Sequence, residues 1–150
     1  MSDPDFAATS VPLGPPKAGL SPDLDALASY VSSLATFPPS PLRDPGGALT
    51  PAAVAGSALF DQLDCQVCHP PPEYTDLTLH DVGTLLRSSG ATTTAIDTPT
   101  LRGLWKSGPY LHDGREPDLL QVLNSAAHGG TDVLTPAQRS DLAAFLLQLE

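Results

Sequence analysis

The chain has 150 residues, enough for one domain with an attached arm. Seventeen acidic residues against seven basic ones leave a net charge of −10. That balance argues against nucleic acid and anionic membrane as partners, since both need a basic face; it suits solubility or a cationic protein partner.

No apolar run approaches the roughly 18 residues that a membrane-spanning helix needs. The opening residues, MSDPDFAATSVPLGPP, have neither the positive region nor the apolar run of a secretory leader. Twelve glycines and 17 prolines are many for a plain bundle and predict short helices separated by long loops.

Residues 1 to 20 show no periodicity and read as an irregular arm. A helix is predicted over 22 to 35. Ser21 is its N-cap, Pro22 its first residue, Asp23 and Asp25 favour the positive end of its dipole, and Leu24, Leu27, Val31 and Leu34 recur at helical spacing. FPPSPLRDPGG (37–47) is a breaker cluster and a candidate linker. The chain thus divides into an arm with one helix and a linker over 1–46 and a domain over 47–150.

Thr50 caps the next helix, which starts at Pro51, runs to about residue 63 and leads into Cys65. From 70 to 115 the chain looks irregular, with one short helix near 81 to 88. REPDLLQVLNSA reads as a helix with Leu119, Leu120 and Leu123 on its inner face. The strongest helix follows Thr135 and carries a stripe of Leu142, Phe145, Leu146 and Leu149. No segment alternates with period two, so no sheet beyond a short hairpin is expected. LSPDLDALASYVSSL (20–34) echoes LTPAQRSDLAAFLLQL (134–149). Two amphipathic helices with Ser/Thr-Pro starts look alike in any case, or the first once closed a preceding, related domain.

The only two cysteines stand in CQVCH (65–69). Cys-x-x-Cys-His is the attachment signature of haem c. Cys65 and Cys68 on one turn can each add to one haem vinyl group, and His69 then offers its imidazole to the iron. Zinc would need four ligands, normally a second paired set, and the other histidines stand alone. A thioredoxin-like pair would need a preceding strand and a parallel sheet. One covalent haem c is therefore the expected cofactor, with a periplasmic or extracellular location, because attachment follows export.

With GSALF (56–60) running into CQVCH and DLAAFLLQL (141–149) closing the chain, the sequence resembles a class I cytochrome c domain. That resemblance implies an all-α fold of short helices and long irregular loops around one covalently attached haem, with Gly56 allowing two helices to cross closely. YTDLTLHDVGT (74–84), DTPTLRGLWKSGPYLHDGREPDLLQVL (97–123) and LTPAQRSDLAAFLLQL resemble the C-terminal haem domain of the bacterial di-haem cytochrome c peroxidase and MauG-like group. Residues 20 to 35 resemble the closing helix of the neighbouring domain in such proteins, which points to a larger multi-haem parent. The chain departs from the group in having one attachment motif where those proteins have two.

The ligand opposite His69 is open at this stage. Met1 is the only methionine and sits on the arm, a poor position for a ligand. His80, His112 and His128 are the candidates. His128, in NSAAHGG, lies where the resembling domains carry the ligand of their low-spin haem, and Gly129 and Gly130 let backbone approach a flat group. His112, in PYLHDG, matches a residue near the haem rather than on its iron, and His80 is placed to cap the short helix after it. Arg102, with Lys106 and Arg115 nearby, is the candidate to neutralise haem propionates. Trp105 and Tyr110 either pack on the haem, donate to a propionate or belong to the core. Pro70, Pro71 and Pro72 stiffen the loop behind His69.

These residues predict an electron carrier serving redox partner proteins, more than an enzyme. The alternative is a peroxidase-type haem enzyme with an open or displaceable sixth position, in which His128 or His112 would act as acid or base. A gas-sensing module is a third class that no residue favours.

Overall fold

The structure is a computed structural model and describes residues 19, 21–34, 38–85, 95–125 and 128–150. Two compact units divide between Thr36 and Phe37. The first contains α1 (Pro22–Ser33), begun as the sequence predicts: Ser21 Oγ accepts from the Leu24 N–H, and Pro22 opens the first turn. None of its described residues is buried, and Leu24, Leu27, Val31 and Leu34 are all exposed.

In the second unit, α2 (Pro51–Gln62) and α4 (Pro136–Leu146) pack extensively against each other, and α3 (Leu119–Asn124) packs on α4 less extensively. Each has a side-chain cap: Thr50 for α2, Asp118 for α3, and for α4 a full capping box between Thr135 and Gln138. The core is built from Ala53, Leu59 and Phe60 of α2, Leu119, Val122 and Leu123 of α3, and Leu142, Ala143, Phe145 and Leu146 of α4, with Leu134 and Leu149 beside them. The Phe60 and Phe145 rings meet edge to face at 5.5 Å.

The α2–α4 crossing has no room for a side chain at one position. A Cβ on Gly56 would overlap the Asp141 carbonyl oxygen and lie 2.9 Å from the Leu142 Cα. Backbone therefore rests on backbone, and the end of α2 is held at a set height over α4.

Short 3₁₀ turns at Cys65–Val67, Leu104–Lys106 and Thr131–Val133 and one sheet complete the described elements. The sheet pairs β1 (Leu79–His80) with β2 (Ile96–Asp97) antiparallel, Leu79 opposite Asp97 and His80 opposite Ile96. The fold is thus helix-rich with a small two-stranded sheet. Residues 38 to 50 are bonded to the end of α4: Ser40 Oγ donates to the Leu147 carbonyl, Arg43 Nε donates to that of Gln148, and the buried Gln148 amide exchanges two bonds with Thr50.

Two expectations need correction. Residues 81–85 are not helical, and the rest of the helix placed at 81–88 lies outside the described residues. On α3 it is Val122, not Leu120, that joins Leu119 and Leu123 inside; Leu120 is 39% exposed. The helix is a short one that buries adjacent residues in its last turn.

Two substitutions test this frame. Gly56→Ala should cost about 3 kcal/mol or more, because backbone and not a flexible side chain must move; the loss should appear as a lower denaturation midpoint. Thr131, 1% exposed, donates from Oγ1 to the Leu123 carbonyl at 2.6 Å. Thr131→Val keeps the shape and strands that acceptor, so chemical denaturation should show a loss of about 1–3 kcal/mol.

Candidate haem site

The site begins where α2 stops. Leu63 caps the helix, and Asp64 turns the chain through a left-handed conformation (φ 55°) into the Cys65–Val67 turn. The Cys68 and His69 N–H groups both donate to the Cys65 carbonyl, so the two cysteines and the histidine occupy one compact turn. Both thiols are free and half-buried. Burial, aided by the negative charges of Asp64 and Asp61, pushes the Cys65 thiol up to about 11.

His69 is only 7% exposed. Its Nδ1 lies 3.0 Å from the Tyr74 carbonyl, which can only accept, so the proton belongs on Nδ1 and the lone pair on Nε2. Tyr74 is brought there by its own N–H, which donates to the Pro70 carbonyl at 2.7 Å across the proline loop. Burial holds the imidazole below its ordinary pKa, with the Tyr74 carbonyl opposing. His69 is thus a neutral, oriented imidazole, the form that binds metals.

A cavity of about 610 Å³ opens beside it. Cys65, Cys68, His69, His80, Arg102, Tyr110, His112 and His128 line it, among apolar side chains from all three helices that include Phe60, Leu119, Val122, Leu142 and Leu146. His128 faces His69: their ring centres are 6.3 Å apart with planes at 61°. His128 sits at a turn made by Gly129 and Gly130, both at positive φ, and Thr131 Oγ1 donates to its carbonyl at 3.4 Å. Its Nδ1 is buried with no hydrogen-bond partner, and burial, then the nearby His69, lowers its pKa.

The remaining candidates are distributed differently. Arg102 lines the cavity, but its Nε donates to the Glu150 carbonyl (2.6 Å) and its Nη1 pairs with Glu73 (2.7 Å). Tyr110 also lines it, with its hydroxyl donating to the Leu104 carbonyl at 2.7 Å. Trp105 is off the cavity wall, with a buried indole N–H that has no acceptor and the Lys106 ammonium 5.7 Å from its ring centre. Arg115 pairs with Asp113 at 3.0 Å.

His80 is not a helix cap. It belongs to β1, and its Nε2 lies 2.7 Å from Asp76 Oδ2 and 2.8 Å from Thr78 Oγ1. The His80 bond is the main reason the Asp76 carboxyl lies far below the usual carboxylate range. Sequence reasoning missed Asp76 and Thr78. The available signal was the spacing Asp-x-Thr-x-His, whose three polar side chains are brought together by the left-handed turn at Leu77 (φ 55°). One potential ligand atom from each of Cys68, Asp76 and His80 lies within 4.8 Å of the other two, so this segment rests on the cysteine turn.

Residues 96–129 match the model of the RoxA-like, cytochrome c-like family. Hydrazine synthase subunit gamma of Kuenenia stuttgartiensis is 28% identical over 98% of this chain and 53% of its own length. The methylamine utilization protein MauG of Methylorubrum extorquens is 32% identical over 65% of this chain and 34% of its own. MauG of Methylophilus methylotrophus is 29% identical over 83% and 45%. Among solved structures, hydrazine synthase of Kuenenia stuttgartiensis pressurised with xenon superposes with a TM-score of 0.73 at 27% identity, covering 86% of this chain and 56% of that one. The chain spans between a third and about half of the length of these curated relatives. A cytochrome c-like domain implies haem c. With its Cys-x-x-Cys-His turn, its crossed helices and a cavity between two histidines, the chain carries a cytochrome c domain that resembles those of MauG-like proteins.

Proposed function

We propose that the chain holds one haem c through thioether bonds from Cys65 and Cys68, with His69 and His128 as axial ligands, and exchanges electrons with other proteins. The observation that carries this is the 6.3 Å between the His69 and His128 ring centres, across a cavity that both cysteines line. Two metal–imidazole bonds of about 2 Å, with each ring centre about 1 Å behind its nitrogen, require a separation of about 6 Å. The donor set fits as well. With the proton of His69 held on Nδ1 by the Tyr74 carbonyl, its lone pair is on Nε2, and the His128 ring has no protein partner at its buried Nδ1.

Haem c supplies a one-electron couple, and an imidazole in place of the usual methionine lowers its potential. The protein does the rest. The Tyr74 carbonyl keeps the His69 ring from rotating, the Gly129–Gly130 turn presents His128, and the apolar wall excludes water. Arg102 and His112, both on the cavity wall, are assigned to the propionates, and Tyr110 to packing around the site. We take the second unit as a single-haem domain and α1 of the first as a helix that descends from a preceding haem domain. The setting is periplasmic or extracellular, where haem c is attached.

The similarity to MauG favours a second reading, a peroxidase-type enzyme with an open or displaceable sixth position. There His128 or His112 would serve as acid or base.

Two measurements decide between them. Made in a host able to mature haem c, the chain should gain the mass of one haem, and Cys65→Ser with Cys68→Ser should abolish that gain. Its optical spectrum should be low-spin and unmoved by carbon monoxide, cyanide or peroxide; a high-spin spectrum that responds to them would show an open sixth position and overturn the first reading. His128→Ala should convert the spectrum to a ligand-responsive one, while His80→Ala and His112→Ala leave the bands in place. Unchanged bands in His128→Ala would remove it from the iron.

A further inference from the structure

We propose that the chain, before haem is attached, binds one zinc ion through Cys68, Asp76 and His80, and that thioether formation at Cys68 abolishes the site; the second clause rests on the haem reading above. One donor atom from each of the three residues lies within 4.8 Å of the other two. Sulfur, imidazole nitrogen and carboxylate oxygen are the donor types that zinc takes, and three protein ligands with a water in the fourth position complete a tetrahedral site. The cysteines have no second paired set in the sequence, and the structure supplies further ligands from the extended segment that follows the proline loop.

The Asp76 and His80 side chains are already held together. His80 Nε2 lies 2.7 Å from Asp76 Oδ2. The Thr78 N–H donates to Asp76 Oδ1 at 3.0 Å, and its hydroxyl donates to Oδ2 at 2.7 Å. The segment carrying them is fixed by Thr98, whose N–H and hydroxyl both donate to the Thr78 carbonyl, and by the pairing of β1 with β2. Zinc bonds of about 2.0–2.3 Å put tetrahedral ligand atoms roughly 3.3–3.6 Å apart, so the three donors close on a metal by side-chain movements of about 1 Å.

Charge and donor type select the ion. A thiolate and a carboxylate balance a divalent charge, and the Cys68 proton leaves to solvent as the metal binds. Between Arg43 and Arg87 the sequence has six acidic residues and no lysine or arginine to compete for that pair. Thiolate and imidazole suit zinc and not the oxygen-seeking magnesium and calcium ions. Cys68 and His80 both line the haem cavity. When the Cys68 S–H adds across a haem vinyl group, its hydrogen passes to the terminal vinyl carbon and the sulfur becomes a neutral thioether. The anionic sulfur donor of the cluster is then gone, so zinc and haem contend for one atom.

The test titrates the reduced, haem-free full chain with zinc chloride by calorimetry. One equivalent should bind, and His80→Ala and Asp76→Asn should each weaken it about tenfold or more, since even outer-shell partners count for that much. Circular dichroism checks that both variants keep the helix content of the parent. In the parent, zinc should slow alkylation of Cys68 by iodoacetamide about tenfold or more and leave Cys65 near its zinc-free rate, read by peptide mass. No zinc uptake, protection of both cysteines alike, or affinity unchanged in either variant would overturn the site. The haem-loaded chain should take up no zinc that His80→Ala removes; uptake there that depends on His80 would overturn the exclusion. If the chain gains no haem in a maturation-competent host, it is the haem reading that fails, and the titration without haem still judges the zinc site.

Discussion

Everything in the second unit depends on the contact between α2 and α4 at Gly56. Because no Cβ separates the helices there, the Asp141–Leu142 backbone sets where α2 ends. The cysteine turn begins immediately after that end, so its position relative to the α4 residues Leu142 and Leu146 is fixed by a contact nine residues upstream of Cys65. A flexible tether to the cysteines would leave the cavity's two walls free to drift. A helix resting on backbone does not, and protein interiors transmit such constraints because they are close-packed.

The electrostatics of the cavity follow from its lining. Apolar walls make protonated imidazole costly, so His69 and His128 are both held toward the neutral form, and His69 further disfavours charge on His128. Of the cations, Arg102 lines the cavity and is held there by Glu73 and the Glu150 carbonyl, and Arg115 pairs with Asp113. An apolar cavity lined by neutral nitrogen donors and a few charged residues is suited to a flat, largely apolar group that carries polar substituents.

Much of this was legible in the sequence because it is encoded locally. Thr50-Pro51 and Thr135-Pro136 mark helix starts through capping chemistry that needs no tertiary context, and Cys65, Cys68 and His69 announce their chemistry by spacing alone. What escaped was set by distant partners. Arg102 is engaged by Glu73 and Glu150, residues 29 and 48 positions away. In the sequence His80 looks like a cap because a short helix seems to follow at Asp81, whereas pairing with Ile96 puts it in β1, bonded to Asp76. Leu120 was placed inside by hydropathy, but α3 is too short to bury a full stripe, and Val122 takes the position. The approach of His128 to His69 across 59 positions of sequence could be guessed from a family pattern and from nothing local.

The turn after α4 receives donors from two remote parts of the chain. Ser40 and Arg43 reach the carbonyls of Leu147 and Gln148, and the Gly103 N–H and Arg102 guanidinium reach those of Leu149 and Glu150. Helix ends ordinarily fray on their own. This one cannot open without releasing residues 38–50 and the 102–103 strand of loop together, and with them part of the cavity wall. The end of the helix and the rim of the site therefore form one cooperative unit of hydrogen exchange, in which slow amide protection at the C-terminal turn reports on the integrity of the pocket.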